Sequence, residues 1–123
     1  MSTILIVEDN EKNMKLVRDV LQVKGYRTLE AGSAEDGIRL AIEHKPDLVL
    51  MDIQLPGMNG IDALGVLRKD ATTASIPVIA VTASVMQQDR KLITEAGFDG
   101  YIGKPINLKE FLATVQQMLG AQQ

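Results

Sequence analysis

The chain has 123 residues, 46% hydrophobic and 24% charged, with a net charge of −3. That composition supplies one packed domain and lies far from disordered sequence. The acidic balance offers no basic footprint for nucleic acid or an anionic membrane, and without cysteine there are no disulfides, thiolate metal sites or cysteine nucleophiles.

At the start, Thr3 to Val7 is β-branched and apolar and ends on Glu8-Asp9-Asn10. The run is too short for a signal-peptide core and lacks a basic lead. Asn10 is a plausible N-cap for the helix that follows. Met14, Val17 and Leu21 recur at helical spacing there, with Leu16, Val20 and Val23 predicted to widen the stripe, and Gly25 closes it. Tyr26 to Ala31 is predicted as a second strand. Ser33 can cap a second helix whose buried face is Ala34, Ile38, Ala41 and Ile42, stopped before Pro46. His44, the only histidine, lies at that helix end and reads as a solvated polar residue.

Leu48-Val49-Leu50-Met51 is an unbroken apolar run that ends on Asp52, with Pro56-Gly57 soon after. So short a run suits a strand buried on both faces of a parallel sheet, and Pro-then-Gly is the order of a type II turn. Ile61, Leu64 and Leu67 stripe a third helix. Residues 71–75 are small and polar and read as a loop. Pro77 to Val81 is a fourth buried strand ending on Thr82, followed by a weakly amphipathic helix from about Ser84 to Ala96 with Met86 and Ile93. The longest mostly apolar stretch, Ile76 to Met86, contains Pro, Thr and Ser and cannot span a bilayer; a soluble, cytoplasmic protein is expected. Gly100 to Gly103 makes the fifth strand and leads to Lys104-Pro105. Asn107 caps a last helix carrying Leu108, Phe111, Leu112, Val115, Met118 and Leu119.

Five strands alternating with five helices predict an α/β fold, a doubly wound parallel sheet with helices on both faces. Right-handed crossovers and one reversal give the order 2-1-3-4-5, so Glu8, Asp9 and Asp52 meet at one end of the sheet. Three carboxylates that close cannot all stay ionised without a counter-charge. With oxygen ligands only, Mg²⁺ or Mn²⁺ is the natural cation. A carboxylate beside such a metal can also be a nucleophile. Lys104 offers a mobile ammonium for a phosphate and Thr82 a hydroxyl, each at a strand's C-terminal end. Blander roles exist for single members: Glu8 and Asp9 suit a helix N-terminus, and Thr82 could cap the fourth helix. The ordered set is what argues for phosphoryl chemistry.

Ile-Val-Glu8-Asp9, Leu-Met-Asp52-Ile-Gln-Leu-Pro56-Gly-Met-Asn-Gly60, Ala-Val-Thr82-Ala83 and Tyr101-Ile-Gly-Lys104-Pro105 resemble the receiver domain of two-component response regulators. The likeness runs over essentially the whole chain and implies the flavodoxin-like (βα)5 fold. It further implies that Asp52 accepts phosphate from a histidine kinase or histidine phosphotransferase. Glu8, Asp9 and Asp52 would hold the metal together with the Gln54 backbone carbonyl. Lys104 would contact the phosphoryl group, Thr82 would close on it, and Tyr101 would turn inward behind Thr82. Lys104-Pro105 would be a cis peptide. Within the family, Asp9 to Leu16 and Leu50 to Pro56 resemble a single-domain regulator of bacterial cell polarity and division. The expectation is therefore a lone receiver over residues 1–123 without an output domain, a monomer or weak dimer. Its face of helix four, strand five and helix five would meet a kinase or adaptor. One departure is Gly103, where a larger or hydroxylated residue is frequent; it predicts a looser strand-five exit around Lys104.

Other classes fit less well. A small Mg²⁺-dependent phosphatase with an aspartyl nucleophile shares the Asp, metal and Lys, but such enzymes carry a second Asp two residues on, where this chain has Gln54. The chemistry expected is thus self-phosphorylation and slow autodephosphorylation, and not enzymatic turnover. A nucleotide or flavin module would need a Gly-rich loop after strand one, where Glu8-Asp9-Asn10 stands. A receiver that only binds is disfavoured because no site residue is missing.

Overall fold

A computed structural model describes residues 2–83 and 87–120, and the side chains of 87–90 lie outside that description. The strands are β1 (Thr3–Val7), β2 (Arg27–Ala31), β3 (Leu48–Asp52), β4 (Val78–Thr82) and β5 (Gly100–Gly103). Between and after them run α1 (Glu11–Val23), α2 (Ala34–His44), α3 (Gly60–Lys69), α4 (Gln87–Ala96) and α5 (Leu108–Gly120). All strand pairs are parallel, in the order β2-β1-β3-β4-β5. The predicted doubly wound sheet and its order are borne out.

Strand alternation divides the core into two layers. Leu5, Val7, Val49, Met51, Val78 and Ala80 point into one, with Ala34, Ala41, Ala63, Leu64 and Ile93 from α2, α3 and α4. Ile4, Ile6, Leu48, Leu50, Ile79 and Val81 point into the other, with Met14, Val17 and Leu21 of α1 and Phe111, Val115 and Leu119 of α5. β3 and β4 are buried at every position, as continuous apolar runs between two helix layers should be.

The caps follow the sequence. Asn10, Ser33 and Asn107 side chains accept backbone N–H groups of Asn13, Asp36 and Glu110. Several details differ from the pattern-based expectation. The α1 stripe is narrower: Leu16 is exposed, and Val23 is 84% exposed at the helix end. On α2, Ile42 faces solvent, Ile38 is only partly buried, and Gly37 joins Ala34 and Ala41 against the sheet. Gly37 lies so near β1 that a Cβ there would stand 2.7 Å from a Val7 methyl. On α3, Ala63 is buried while Ile61 packs at the edge of the core. β2 starts at Arg27 because the Tyr26 N–H turns back to the Leu21 carbonyl, after Gly25 at φ 91°. Gly57 has φ 77°, the positive value that a type II turn needs after Pro56. The predicted α4 start at Ser84, and Met86, lie outside the described residues. His44 is exposed, with Glu43 at 3.8 Å.

Two acids before strands tie the sheet at its other end. Asp47 Oδ2 accepts the Thr3 N–H at 2.8 Å, and Asp99 Oδ2 accepts that of Val78 at 2.8 Å. The Arg68 guanidinium then binds the carbonyls of Ala74, Ile76 and Gly97 and the Asp99 carboxylate, joining the end of α3 to the turns before β4 and β5.

Candidate functional site

β1, β3, β4 and β5 are parallel, so their last residues share one edge. Glu8 follows β1, Asp52 closes β3, Thr82 closes β4 and Lys104 follows β5. Among the described residues, Glu8, Asp9 and Asp52 form a group in which one oxygen from each lies within 4.8 Å of the others. Glu8 and Asp52 are buried and Asp9 is exposed, so the group opens to solvent on one side.

Lys104 Nζ lies 2.9 Å from Asp52 Oδ2 and 3.0 Å from Glu8 Oε1. Asp52 Oδ1 accepts the Gln54 N–H at 3.0 Å, and Glu8 Oε2 accepts that of Asn10 at 3.2 Å. Both buried carboxylates are therefore held at each oxygen. Lys104 is fixed along its backbone as well, its N–H donating to the Thr82 carbonyl at 2.8 Å. Gly103 pairs in register with Thr82 on β4. Lys104-Pro105 is cis, as the family likeness implied.

The electrostatics follow from the inventory. One ammonium faces two buried acids and a third at the rim, which leaves negative charge in excess. Burial and the neighbouring Asp52 raise the Glu8 carboxyl to about 7, against the opposing pull of Lys104 and the Asn10 N–H. Lys104 is drawn down by its own burial, but Asp52 and Glu8 outweigh that and its pKa is raised.

Such a donor set fits a hard divalent cation. Three carboxylates converge with oxygen atoms only, and the open side leaves room for the waters that Mg²⁺ keeps. A cation there would offset the excess negative charge of the three carboxylates.

Of the remaining expected residues, Thr82 and Gln54 lie at that edge, whereas Tyr101 lies within β5. Thr82 is buried at the end of β4 and shares strand parity with Val78 and Ala80, which line the α2–α3–α4 layer. Tyr101 is half-buried, packs against that same layer and pairs in register with Ala80. Gln54 is exposed, two residues beyond Asp52. The Lys104–Glu8 contact and the Arg68–Asp99 tie were not foreseen in the sequence.

Residues 4–116 match the model of the response regulator receiver domain, and the chain belongs to that family. The polar-differentiation response regulator DivK of Brucella ovis is 46% identical over 118 residues, covering 96% of each chain. DivK of Brucella anthropi is 45% identical over the same share. The receiver domain of the sensor histidine kinase PA1611 from Pseudomonas aeruginosa superposes with a TM-score of 0.90 at 32% identity, covering 97% of this chain and 98% of that one. That structure has a magnesium ion coordinated in its active site cleft. The chemotaxis protein CheY4 of Vibrio cholerae, at 24% identity and a TM-score of 0.91 over 97% and 99% of the two chains, shares the fold. No helix among the described residues is long and apolar enough to cross a membrane.

Proposed function

We propose that this protein is a phosphorylation switch in which Asp52 accepts a phosphoryl group from a phosphohistidine on a histidine kinase or histidine phosphotransferase. The observation that carries the reading is the Lys104 ammonium, bonded to Asp52 and Glu8 where the strands end. An Asp52 oxygen attacks phosphorus in line as the phosphorus–nitrogen bond breaks; the bonding electrons leave with the imidazole, which takes a proton from solvent. The product is an acyl phosphate on Asp52. Lys104 lies where it can follow the charge onto the phosphoryl oxygens, so catalysis is mostly positioning and charge neutralisation. Glu8, Asp9, Asp52 and the Gln54 backbone carbonyl would hold Mg²⁺ or Mn²⁺, which when bound neutralises phosphoryl oxygens.

Gln54 cannot serve as the general acid that rapid hydrolysis needs, which supports a persistent acyl phosphate and no more than slow autodephosphorylation. The signal then passes through Thr82, whose hydroxyl closes on the new dianion, and Tyr101, which turns inward behind it. Their shared strand parity and the Ala80–Tyr101 pairing support this coupling. The phosphoryl group must favour one of two arrangements of the α4–β5–α5 face for that face to recruit a kinase or adaptor. The match to DivK spans 96% of the relatives' own length, which supports a lone receiver whose output is binding.

Incubation with a labelled phosphohistidine donor or acetyl phosphate in Mg²⁺ tests the reading. Label enters the wild type and is lost in Asp52→Asn; undiminished incorporation in that variant refutes it. Capture of partners with the beryllofluoride-treated protein, compared with the untreated protein, tests the output face.

A further inference from the structure

Gly60 opens α3 and is buried against the end of β3. A Cβ at this position would lie 2.5 Å from the Asp52 carbonyl oxygen, 2.9 Å from Ile53 Cα and 3.1 Å from Met51 Cγ. Two of those three atoms are backbone, so no change of rotamer relieves the contact. The Gly60 N–H donates to the Ile53 carbonyl at 3.0 Å and closes the intervening loop on itself. Asn59 fixes the same turn from the other side by accepting the Asp62 N–H at 2.9 Å. Gln54, whose N–H holds Asp52 Oδ1, lies inside that closed loop. Gly65, in the same helix, has nothing within 4 Å of its Cβ position.

We propose that Gly60 is a positioning residue for the acid cluster. Its missing side chain lets the first turn of α3 clamp the Asp52–Ile53 peptide, and the clamp fixes the Asp52 carboxylate relative to Glu8, Asp9 and Lys104. The inference rests on the reading of that cluster as the metal-assisted acceptor site. Ordinary van der Waals contact begins near 3.4 Å, so an alanine methyl must force the helix and the strand end apart by about 0.9 Å. Either movement carries the loop that holds Asp52 Oδ1. Displacements near 1 Å are enough to cost a reaction about a hundredfold.

The test compares Gly60→Ala with Gly65→Ala and with Leu67→Ala, which opens the core at the far end of the same helix. Two quantities are read: the Mg²⁺ dissociation constant by NMR titration or calorimetry, and the initial rate of label uptake from acetyl phosphate. Gly60→Ala is expected to keep its far-UV circular dichroism while affinity and rate fall roughly 10- to 100-fold. Leu67→Ala loses at least as much thermal stability and keeps both at the wild-type level, as does Gly65→Ala. Metal affinity in Gly60→Ala no weaker than in Leu67→Ala overturns the proposal. Should Gly60→Ala not fold, Asn59→Gly decides, because it loosens the clamp without a clash; unchanged affinity and rate there also overturn it. A wild-type protein that binds Mg²⁺ but takes no label refutes the acceptor reading instead, and the affinity comparison still judges Gly60.

Discussion

Replacing Glu8 with Gln should stabilise the metal-free protein, although the change removes a residue from the site. The Glu8 carboxyl has an ordinary value of 4.5 and stands at about 7 in the fold, chiefly through burial and then through Asp52. Because the folded value is the higher one, the folded chain binds more protons than the unfolded chain between those two pH values. Stability therefore falls as pH rises through that window, and the penalty is complete above about 7. The gap of about 2.5 between the two values, at about 1.36 kcal/mol each, sets a ceiling near 3 kcal/mol. Glutamine keeps an oxygen for the Lys104 ammonium and carries no charge, so it stands for the neutral acid at every pH, less the bond that Glu8 Oε2 accepts from the Asn10 N–H, which offsets part of the gain. In EDTA at pH 8, Glu8→Gln should gain about 1–3 kcal/mol, with Tm rising roughly 3–6 °C for each kcal/mol in a domain of this size. At pH 4 the two proteins should differ little. Urea and thermal unfolding followed by circular dichroism at both pH values make the measurement. A variant less stable than wild type at pH 8, or one that keeps the wild-type slope between pH 5 and 7, would refute the reasoning.

Metal should reverse the sign of that effect. Mg²⁺ at a hundred times its dissociation constant stabilises wild type by about 2.7 kcal/mol, and the gain should shrink in Asp52→Asn, as read by thermal melts with and without EDTA. Arg68→Ala removes three carbonyl contacts and the half-exposed Asp99 pair, and should cost about 1–3 kcal/mol in urea unfolding. Label uptake at Asp52 should be unaffected, since Arg68 lies at the opposite end of the sheet. Thr73→Val strips a fully buried hydroxyl that donates to the Leu67 carbonyl at 2.7 Å. It should cost about 1–2 kcal/mol, measurable by the same unfolding series.

The parts legible in the sequence were those written in local pattern. The run from Leu48 to Met51 read as a strand covered on both faces, and Glu8, Asp52, Thr82 and Lys104 lie together where the strands end. Caps at Asn10, Ser33 and Asn107 were readable because each needs one side chain and one nearby N–H. Helix faces were less legible. Val23 has the right spacing for the α1 stripe, but the helix ends there and no layer covers it. Gly37 carries no hydrophobic signal, yet it lets α2 settle on Val7, a role visible only once the helix is docked. Arg68 and Asp99 are 31 residues apart with no motif between them, and their meeting depends on the order of β4 and β5. Lys104 was legible as a phosphate contact. Its second bond, to Glu8, follows from the depth to which both side chains reach, which spacing does not encode.

The sheet order also bears on how the chain emerges during synthesis. β1 is made first but is flanked in the native sheet by β2 and β3, so its backbone is fully paired only after residue 52 has been added. Until then Ile4, Leu5, Ile6 and Val7 belong to an unfinished edge, open to pairing with other nascent chains. The carboxylates meet at the same moment, because Glu8 gains Asp52 as its neighbour only when that edge closes. A ribosome that stalls before β3 would therefore release a fragment with an aggregation-prone strand and no site.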